Sequence, residues 1–492
     1  MIALDSLASV RFFLPELILA GFALVLLLAG LFIGDKQRQR LAGLAWVGLA
    51  IALVSLIPDF PGQGQSLFRG MIVFDTFAIF FKVFAIGVTA FVILFTCRSL
   101  EIKRHVSEFF ALLLVSALGM SLMASAVDLL MMYIALEMVS IPCYVLAGYH
   151  KGSSRSAEAA LKYVIYGGVS SGIMLFGMSL LFGLTGHTNL FAINQYLADH
   201  PVYLLPLLLA ILFILAGLGY KIAAVPFHFW CPDVYEGAPT PVAAFLSVGP
   251  KAAGFALMIR FFYVTLVSAD GQLASVVAGL NWPMILAVIA AVSMSLGNLA
   301  ALAQRNVKRL LAYSGIAHAG YILMGLAVVN HDGLTASLFY LLVYLFMNLG
   351  AFLVVIYLSQ LLGSEDIEDY RGLVWRSPVL AIAMGIFLLS LIGIPPLAGF
   401  IAKFYIFAAV IDAEMYWLAV IGLVNSTIAV YYYAKILRAM FLSPETGKEG
   451  LVLPAFDKGL LAVMIAPLLV FGVYWVPAMR FAKLSFLVFR GH

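Results

Sequence analysis

Glu137, Lys221, Lys251 and Lys403 each lie inside a long apolar run, where a charged side chain is costly to keep. On insertion scales a charge at mid-membrane costs about 2.5 to 3.5 kcal/mol, so the four together cost on the order of 10 to 14 kcal/mol, comparable with the whole stability of a typical protein. Such residues are bearable when paired, hydrated or partly neutralised. Burial favours the neutral forms of lysine and glutamate, and an opposite charge nearby favours the charged forms. A Glu–Lys pair in a wet cavity is therefore a two-position proton switch. If Glu137 faces Lys221, separating them favours neutral lysine and releases its proton to the next group. Lysines bridged by water suit protons, because each amine both accepts and donates.

Other titratable residues carry weaker signals. Lys162 lies five residues into its run, where it either snorkels to the interface or serves proton entry. His318, about twelve residues into its run, titrates near physiological pH, although a lone helix-facing histidine is more often simply hydrogen-bonded in the core; His228 stands beside Pro226. Lys82 and Arg260 have no acidic partner identifiable from sequence and read as packing or helper charges, Lys435 as a snorkelling residue. The acidic cluster Glu365, Asp366, Glu368 and Asp369 reads as a solvated loop or a docking surface for a partner.

The elements that must position these residues follow from composition. Of 492 residues, 64% are hydrophobic and 11% charged, against about half and about a quarter in soluble domains, which excludes a water-soluble globular protein. Apolar runs predict spans at 14–34, 41–58, 72–96, 109–126, 128–149, 157–184, 202–230, 240–267, 283–303, 307–329, 334–362, 378–411, 416–441 and 459–477. The expected fold is thus an all-α integral membrane protein of fourteen transmembrane helices. Arg11 precedes the first run, but that run is long enough to span and no distinct cleavage site follows, so it reads as a retained helix.

Lys and Arg collect in cytoplasmic loops. The odd-numbered loops carry Lys36, Arg38, Arg40, Arg98, Lys103, Arg104, Lys151, Arg155, Arg305, Lys308, Arg309, Arg371, Arg376, Arg438, Lys448 and Lys458, and the even-numbered loops only Arg69; Arg480, Lys483 and Arg490 join Arg11 near the termini. This asymmetry places both termini on the outer side.

Two long spans are interrupted by proline. The seventh reads GLGYKIAAVPFHFWCPD, with Pro226 near Lys221, and the twelfth LIGIPPLAGFIAKFYIF, with Pro395 and Pro396 before Lys403. Proline removes a backbone donor and clashes with the preceding turn, and backbone exposed in the membrane is tolerated only where protein or a water-filled cavity satisfies it. Lying five spans apart, the two candidate broken helices suggest inverted five-helix repeats, helices 4–8 and 9–13, with the working site near mid-membrane. The expected domains are 1–106 (helices 1–3), 107–268 (first repeat), 269–442 (second repeat) and 443–492 (helix 14 and tail).

Cys97, Cys143 and Cys231 are far apart and form no metal or cluster motif, so no metal or redox cofactor is expected in this chain. The dispersed basic residues and a net charge of +4 argue against nucleic-acid binding.

At these same residues the sequence resembles a known family. PDVYEGAPTPVAAFL at 232–246, KAAGF at 251, EAALKY at 158, KRLLAYSGIAHAGY at 308 and IPPLAGFIAKFY at 394 resemble the subunit N family of proton-translocating NADH-quinone oxidoreductase, respiratory complex I, from about residue 70 to residue 440. The resemblance implies fourteen helices with two inverted repeats. It also implies a proton path in which Glu137 is the fifth-helix glutamate, and Lys221, Lys251 and Lys403 the seventh-, eighth- and twelfth-helix lysines. Lys162 matches a sixth-helix lysine of lesser standing, and His318 lies in the tenth-helix motif; Gly315 departs from the family's usual serine.

The same resemblance implies a non-redox subunit of a proton-translocating oxidoreductase in a bacterial plasma membrane. Flavin, iron–sulfur clusters and quinone are expected in partner subunits. The partners implied are the other membrane subunits, including related antiporter-like ones, with lipid, protons and internal water. The expected sequence of events has Lys221 accepting a proton from the cytoplasmic side, Lys251 passing it laterally and Lys403 delivering it to an exit. The alternatives are a subunit of a multisubunit sodium/proton antiporter, which has similar subunits, and a passive scaffold.

Overall fold

The computed structural model describes residues 2–3, 6–57, 64–268, 277, 279–444 and 452–485. The expected end of the second span at 58, the boundary at 269, and Lys448 and Arg490 lie outside the described residues. The apolar runs fold as α1 (Leu14–Phe32), α2 (Arg38–Val54), α3 (Thr76–Arg98), α4 (Val106–Ser125), α5 (Leu129–Ala147), α6 (Ser154–Thr185), α7 (Leu204–Ile222) and α8 (Thr240–Leu266). They continue as α9 (Trp282–Leu302), α10 (Val307–Ala327), α11 (His331–Leu362), α12 (Pro378–Ile392), α13 (Ala398–Asp412), α14 (Tyr416–Leu442) and α15 (Ala455–Val473). Among the described residues twelve helices are long and apolar enough to cross a membrane, all of these except α2, α12 and α13. Within a bilayer a helix satisfies its own backbone groups, which is why unbroken apolar sequence folds this way.

Polar residues at the starts set the helix boundaries. The Asp75 carboxylate accepts from Ala78 N at 2.7 Å to open α3, Asp128 from Leu130 N at 2.9 Å to open α5, and Asn330 from Gly333 N at 2.6 Å to open α11. These are the side chains that best satisfy orphan amides of a first turn.

Both expected breaks are present. Helix α7 stops at Ile222, Ala223 adopts a left-handed φ of 58°, and helix resumes only at Trp230–Gly237. Helix α12 stops at Ile392, Gly393 takes φ 90°, and α13 begins at Ala398.

Three short strands accompany the helices. Strand β1 (Ile2–Ala3) pairs in parallel with β2 (Gln65–Leu67), which pairs antiparallel with β3 (Ile72–Phe74). Loop backbone at the end of a bundle still has donors and acceptors to satisfy, and these three short strands pair them.

The chain forms two compact units, Met1–Ala223 with Gly249–Trp282 and Lys483–His492, and Ala224–Val248 with Pro283–Ala482. In the first unit α4 packs on α1, α3 and α5, and α6 on α7. In the second, α11 is the buried spine against α10, α12, α13 and α15.

Loop contacts segregate by parity. In the first unit Asp35 accepts from His105 N and Val106 N, and Tyr149 donates to His105 O, which ties loops one, three and five. Val127 N donates to Met71 O, Leu190 N to Val127 O and Leu129 N to Thr188 O, which ties loops two, four and six. In the second unit Val307 N donates to Glu365 O, joining loops nine and eleven, and Lys435 Nζ donates to Gln304 O and Gly372 N to Ala439 O, tying both loops to the end of α14.

Candidate functional site

Lys221 occupies the last turn of α7, immediately before the break, and is buried. Its Nζ donates to Ser140 Oγ at 3.0 Å. Ser140 lies one turn beyond Glu137 on α5, so the same helix face presents a carboxylate and a hydroxyl. Glu137 is half-buried; its Oε1 is shut off from solvent and has no hydrogen-bond partner among the described residues. Among the described residues it makes no ion pair with Lys221: the ammonium rests on a neutral hydroxyl one turn along α5 from the carboxylate.

Lys251 is buried on α8. One turn further, a Cβ at Gly254 would lie 3.1 Å from Lys221 Cγ and 2.9 Å from Ile222 Cγ2. Glycine here lets the end of α7 approach the α8 face that carries Lys251.

In the second unit Lys403 on α13 is buried and reaches back across its own break. Nζ donates to Ile392 O, the last carbonyl of α12, at 2.8 Å and to Ser426 Oγ at 3.1 Å, and stands 4.7 Å above the Tyr321 ring. A cation at a helix C-terminus meets the negative end of its dipole, and the carbonyl freed by the break gains a donor. Gly393 is required twice over: its φ is left-handed, and a Cβ there would lie 3.0 Å from Lys403 Cδ.

His318 is the hub of a buried polar network. Nδ1 lies 2.6 Å from Tyr340 Oη and Nε2 3.3 Å from Tyr433 Oη, which in turn bonds Ser314. Beside it Tyr432 donates to Asn298, Asn298 to Asn425, and Asn425 to Ser295. The histidine is satisfied by hydrogen bonds on both nitrogens, and those partners are groups that hold and pass protons. His228 is buried next to the first break.

Two residues whose partners the sequence does not identify are paired. Arg260 binds Asp75 at 2.5 Å and donates to Ala124 O at 2.9 Å over the Phe77 ring, and Lys82 binds Glu16 at 2.7 Å against Phe74. Both acids lie far away in the sequence, so only tertiary packing brings them together. The acidic cluster is likewise not wholly solvated: Glu365 pairs with buried Lys308 at 2.9 Å, while Asp366, Glu368 and Asp369 are exposed. Arg309 joins Asp233 and Glu236 at 2.6 and 2.9 Å. Lys162 pairs with Glu158 at 2.7 Å on an outward face of α6.

Sequence reading missed the hydroxyls and amides, Ser140, Ser426, Tyr340, Tyr433, Asn298 and Asn425. The usable signal was helical spacing: Ser140 follows Glu137 by three residues and Ser314 precedes His318 by four. The three cysteines are free, and among the described residues no group of three or more His, Cys, Asp or Glu could hold a metal.

The profile of the family described as "NADH:quinone oxidoreductase/Mrp antiporter, TM" matches residues 126–429, which include Glu137, Lys221, Lys251 and Lys403. NADH-quinone oxidoreductase subunit N of Anaeromyxobacter sp. (strain Fw109-5) is 48% identical, with 99% of this chain and 98% of that protein covered. A chain of respiratory complex I from Thermus thermophilus with bound aureothin is 34% identical at TM-score 0.79, covering 95% of this chain and 99% of that one. A chain of the Mrp complex from Dietzia sp. DQ12-45-1b shares the fold, at 22% identity and TM-score 0.81 over 96% of both chains. The chain belongs to the NADH:quinone oxidoreductase/Mrp antiporter membrane family and, within it, to the subunit N group of NADH-quinone oxidoreductases.

Proposed function

We propose that this chain is a membrane-arm subunit of a respiratory NADH-quinone oxidoreductase and translocates protons, with quinone reduction elsewhere in the assembly as the driving reaction. The electron carriers, flavin, iron–sulfur clusters and quinone, belong to partner subunits, and the neighbours in the membrane are other complex I subunits, including antiporter-like ones. The chain's own part is that of a translocase without redox chemistry.

One observation carries the mechanism: Lys221 rests on Ser140, one helical turn from Glu137, instead of being locked to a carboxylate. When Glu137 is charged and close, Lys221 holds its proton; when that field weakens, the desolvated amine gives it up. Lys251 on the adjacent α8 face is the next acceptor, and Lys403, braced by the broken-helix carbonyl of Ile392, serves delivery to the exit. His318 and its tyrosines form a second hydrogen-bonded store. Moving one charge against 100 mV costs about 2.3 kcal/mol, which a change of about two pKa units at one lysine covers at about 1.4 kcal/mol per unit.

The topology we infer has fourteen spans: the twelve long helices, α2, and the broken pair α12 and α13 taken together. Loop parity supports it, because a miscount of one helix would join odd loops to even ones. Spans 4–8 and 9–13 form the inverted repeats, between 1–106 and 443–492, and the basic odd loops put both termini outside a bacterial plasma membrane.

The test is Glu137→Gln in the intact complex, with proton translocation and quinone reduction measured together. Loss of translocation with an assembled complex is expected. Unchanged translocation would eliminate the switch and favour a scaffold. An antiporter that exchanges sodium for protons is the second reading, favoured by the fold shared with the Mrp chain; sodium-dependent exchange by the purified chain alone would favour it.

A further inference from the structure

Helix α5 carries more than Glu137 and Ser140. Its sequence toward the odd-loop end places Glu137, Ser140, Tyr144 and Gly148 in order on one face, a rise of about 16 Å at 1.5 Å per residue. Tyr144 is half-buried, its ring set edge-on to Tyr163 with centroids 4.8 Å apart, and it stands one helical turn from Ser140 on the same face. A Cβ at Gly167 would lie 1.9 Å from Tyr144 Oη and 2.8 Å from Tyr220 Oη, so the glycine leaves the space these hydroxyls share. Tyr220 Oη is anchored by donating to Tyr163 O at 2.9 Å.

One turn beyond Tyr144, a cavity of about 690 Å³ opens at the odd-loop end of the first unit. Gly148 lines it together with Glu101, His105, Glu108 and His150. His105 Nδ1 lies 3.2 Å from Glu108 Oε1, and His150 Nε2 3.9 Å from Glu101 Oε2. Each pair sets an imidazole nitrogen, a donor or acceptor of a proton, beside a carboxylate oxygen.

We infer that this cavity collects protons and that Tyr144 and Ser140 hand them to Lys221. The inference rests on the proton-translocating reading above and names the intake it needs. Each transfer is a hop followed by a turn. A proton from cavity water binds Tyr144 Oη as the tyrosine's own proton passes to Ser140 Oγ; the serine proton passes to the lone pair of neutral Lys221. One proton moves and neither hydroxyl changes its protonation state. The arrangement observed, with Lys221 Nζ donating to Ser140 Oγ and the serine hydroxyl donating to Leu136 O at 2.7 Å, is the one reached after delivery and one turn of the serine hydroxyl. A further turn of that hydroxyl from Leu136 O to the emptied lysine, with Oγ left to accept from Tyr144, resets the relay.

The test uses membrane vesicles holding the whole complex, with proton translocation, NADH–quinone turnover and the amount of assembled complex recorded. Tyr144→Phe keeps the ring on Tyr163 and removes only the oxygen. It and Ser140→Ala are each expected to lower translocation at least about tenfold, within the range of a lost proton-transfer group, without loss of assembly, and Ser140→Thr is expected to restore it. Should Tyr144→Phe reduce assembly, the contrast between Ser140→Ala and Ser140→Thr decides. Full translocation in Tyr144→Phe and Ser140→Ala, alongside its loss in Lys221→Met, overturns the relay and leaves the wider reading intact. Full translocation in Lys221→Met overturns that reading itself.

Discussion

Lys221 and Arg260 are both buried cations of the first unit, and the protein treats them in opposite ways. Arg260 is clamped: Asp75 at 2.5 Å, a carbonyl at 2.9 Å and an aromatic face leave its charge nowhere to go. Lys221 has one neutral hydroxyl at 3.0 Å and, among the described residues, no carboxylate in contact. A guanidinium is never deprotonated in proteins, whereas a buried amine shifts its affinity readily. The residue types match the tasks: arginine and a tight pair where charge is structural, lysine and a loose pair where the proton must leave. Both side chains are buried, so burial alone does not mark a carrier; on the proposed reading the tightness of pairing does.

The sharpest way to break this comparison is Arg260→Met. Leaving Asp75 charged and unpaired in the core is expected to destabilise the chain by about 3 to 5 kcal/mol, read as lost thermal stability and reduced incorporation into the complex. Adding Asp75→Asn, which keeps the cap on Ala78, is expected to recover much of that loss. Complexes that do assemble are expected to translocate protons at the normal ratio to turnover; a changed ratio would move Arg260 from structure into the path.

Lys403→Met probes an intermediate case. The site holds its ammonium by a carbonyl, a hydroxyl and an aromatic face, with no acid in contact among the described residues. Substitution orphans the Ile392 carbonyl at about 1 to 3 kcal/mol, less than the Arg260 variant costs, yet translocation is expected to stop. Stability lost as severely as in Arg260→Met, with normal translocation, would make Lys403 a cap and nothing more.

These cases show what the sequence could carry. A charge inside an apolar run is visible at once, because its neighbours cannot hide it; this exposed Glu137, Lys221, Lys251 and Lys403, and proline in the same runs marked both breaks. Partners at long range left no trace: Glu16 and Asp75 look like ordinary residues near helix starts, and only folding sets them beside Lys82 and Arg260. The tyrosine network around His318 was hidden for another reason. Tyrosine and serine blend into apolar membrane sequence, and the hydrogen bonds of Tyr340 and Tyr433 exist only once α10, α11 and α14 are packed. The short strand pairs at one end of the bundle were equally invisible, since their segments are too brief to show a period.

His318 tests whether hidden partners share the work. Tyr433→Phe removes one hydroxyl from the network and keeps the ring, at a cost of about 0.5 to 1.5 kcal/mol for the lost hydrogen bond. Translocation is expected to fall several-fold with assembly intact. Normal translocation in both Tyr433→Phe and His318→Gln would leave the network a packing device.

Lys162→Met is expected to do least. Its ammonium pairs with Glu158 across one helical turn, with 37% of the lysine side chain and 63% of the glutamate exposed. Pairs of this kind contribute about 0.3 to 0.5 kcal/mol before further screening. The surrounding face of α6 is apolar and outward, with Leu161, Ile165 and Val169 exposed, so methionine fits it as well as the lysine stem does. Stability and translocation are both expected to stay within a few tenths of a kcal/mol and a small fraction of the parent values. A large loss of translocation at unchanged stability would place proton entry on this outer face instead of at the cavity beyond Gly148. It would also show that a surface pair, held as tightly as the structural ones at 2.7 Å, still releases its proton, and the link between tight pairing and a fixed charge would hold only in the buried core.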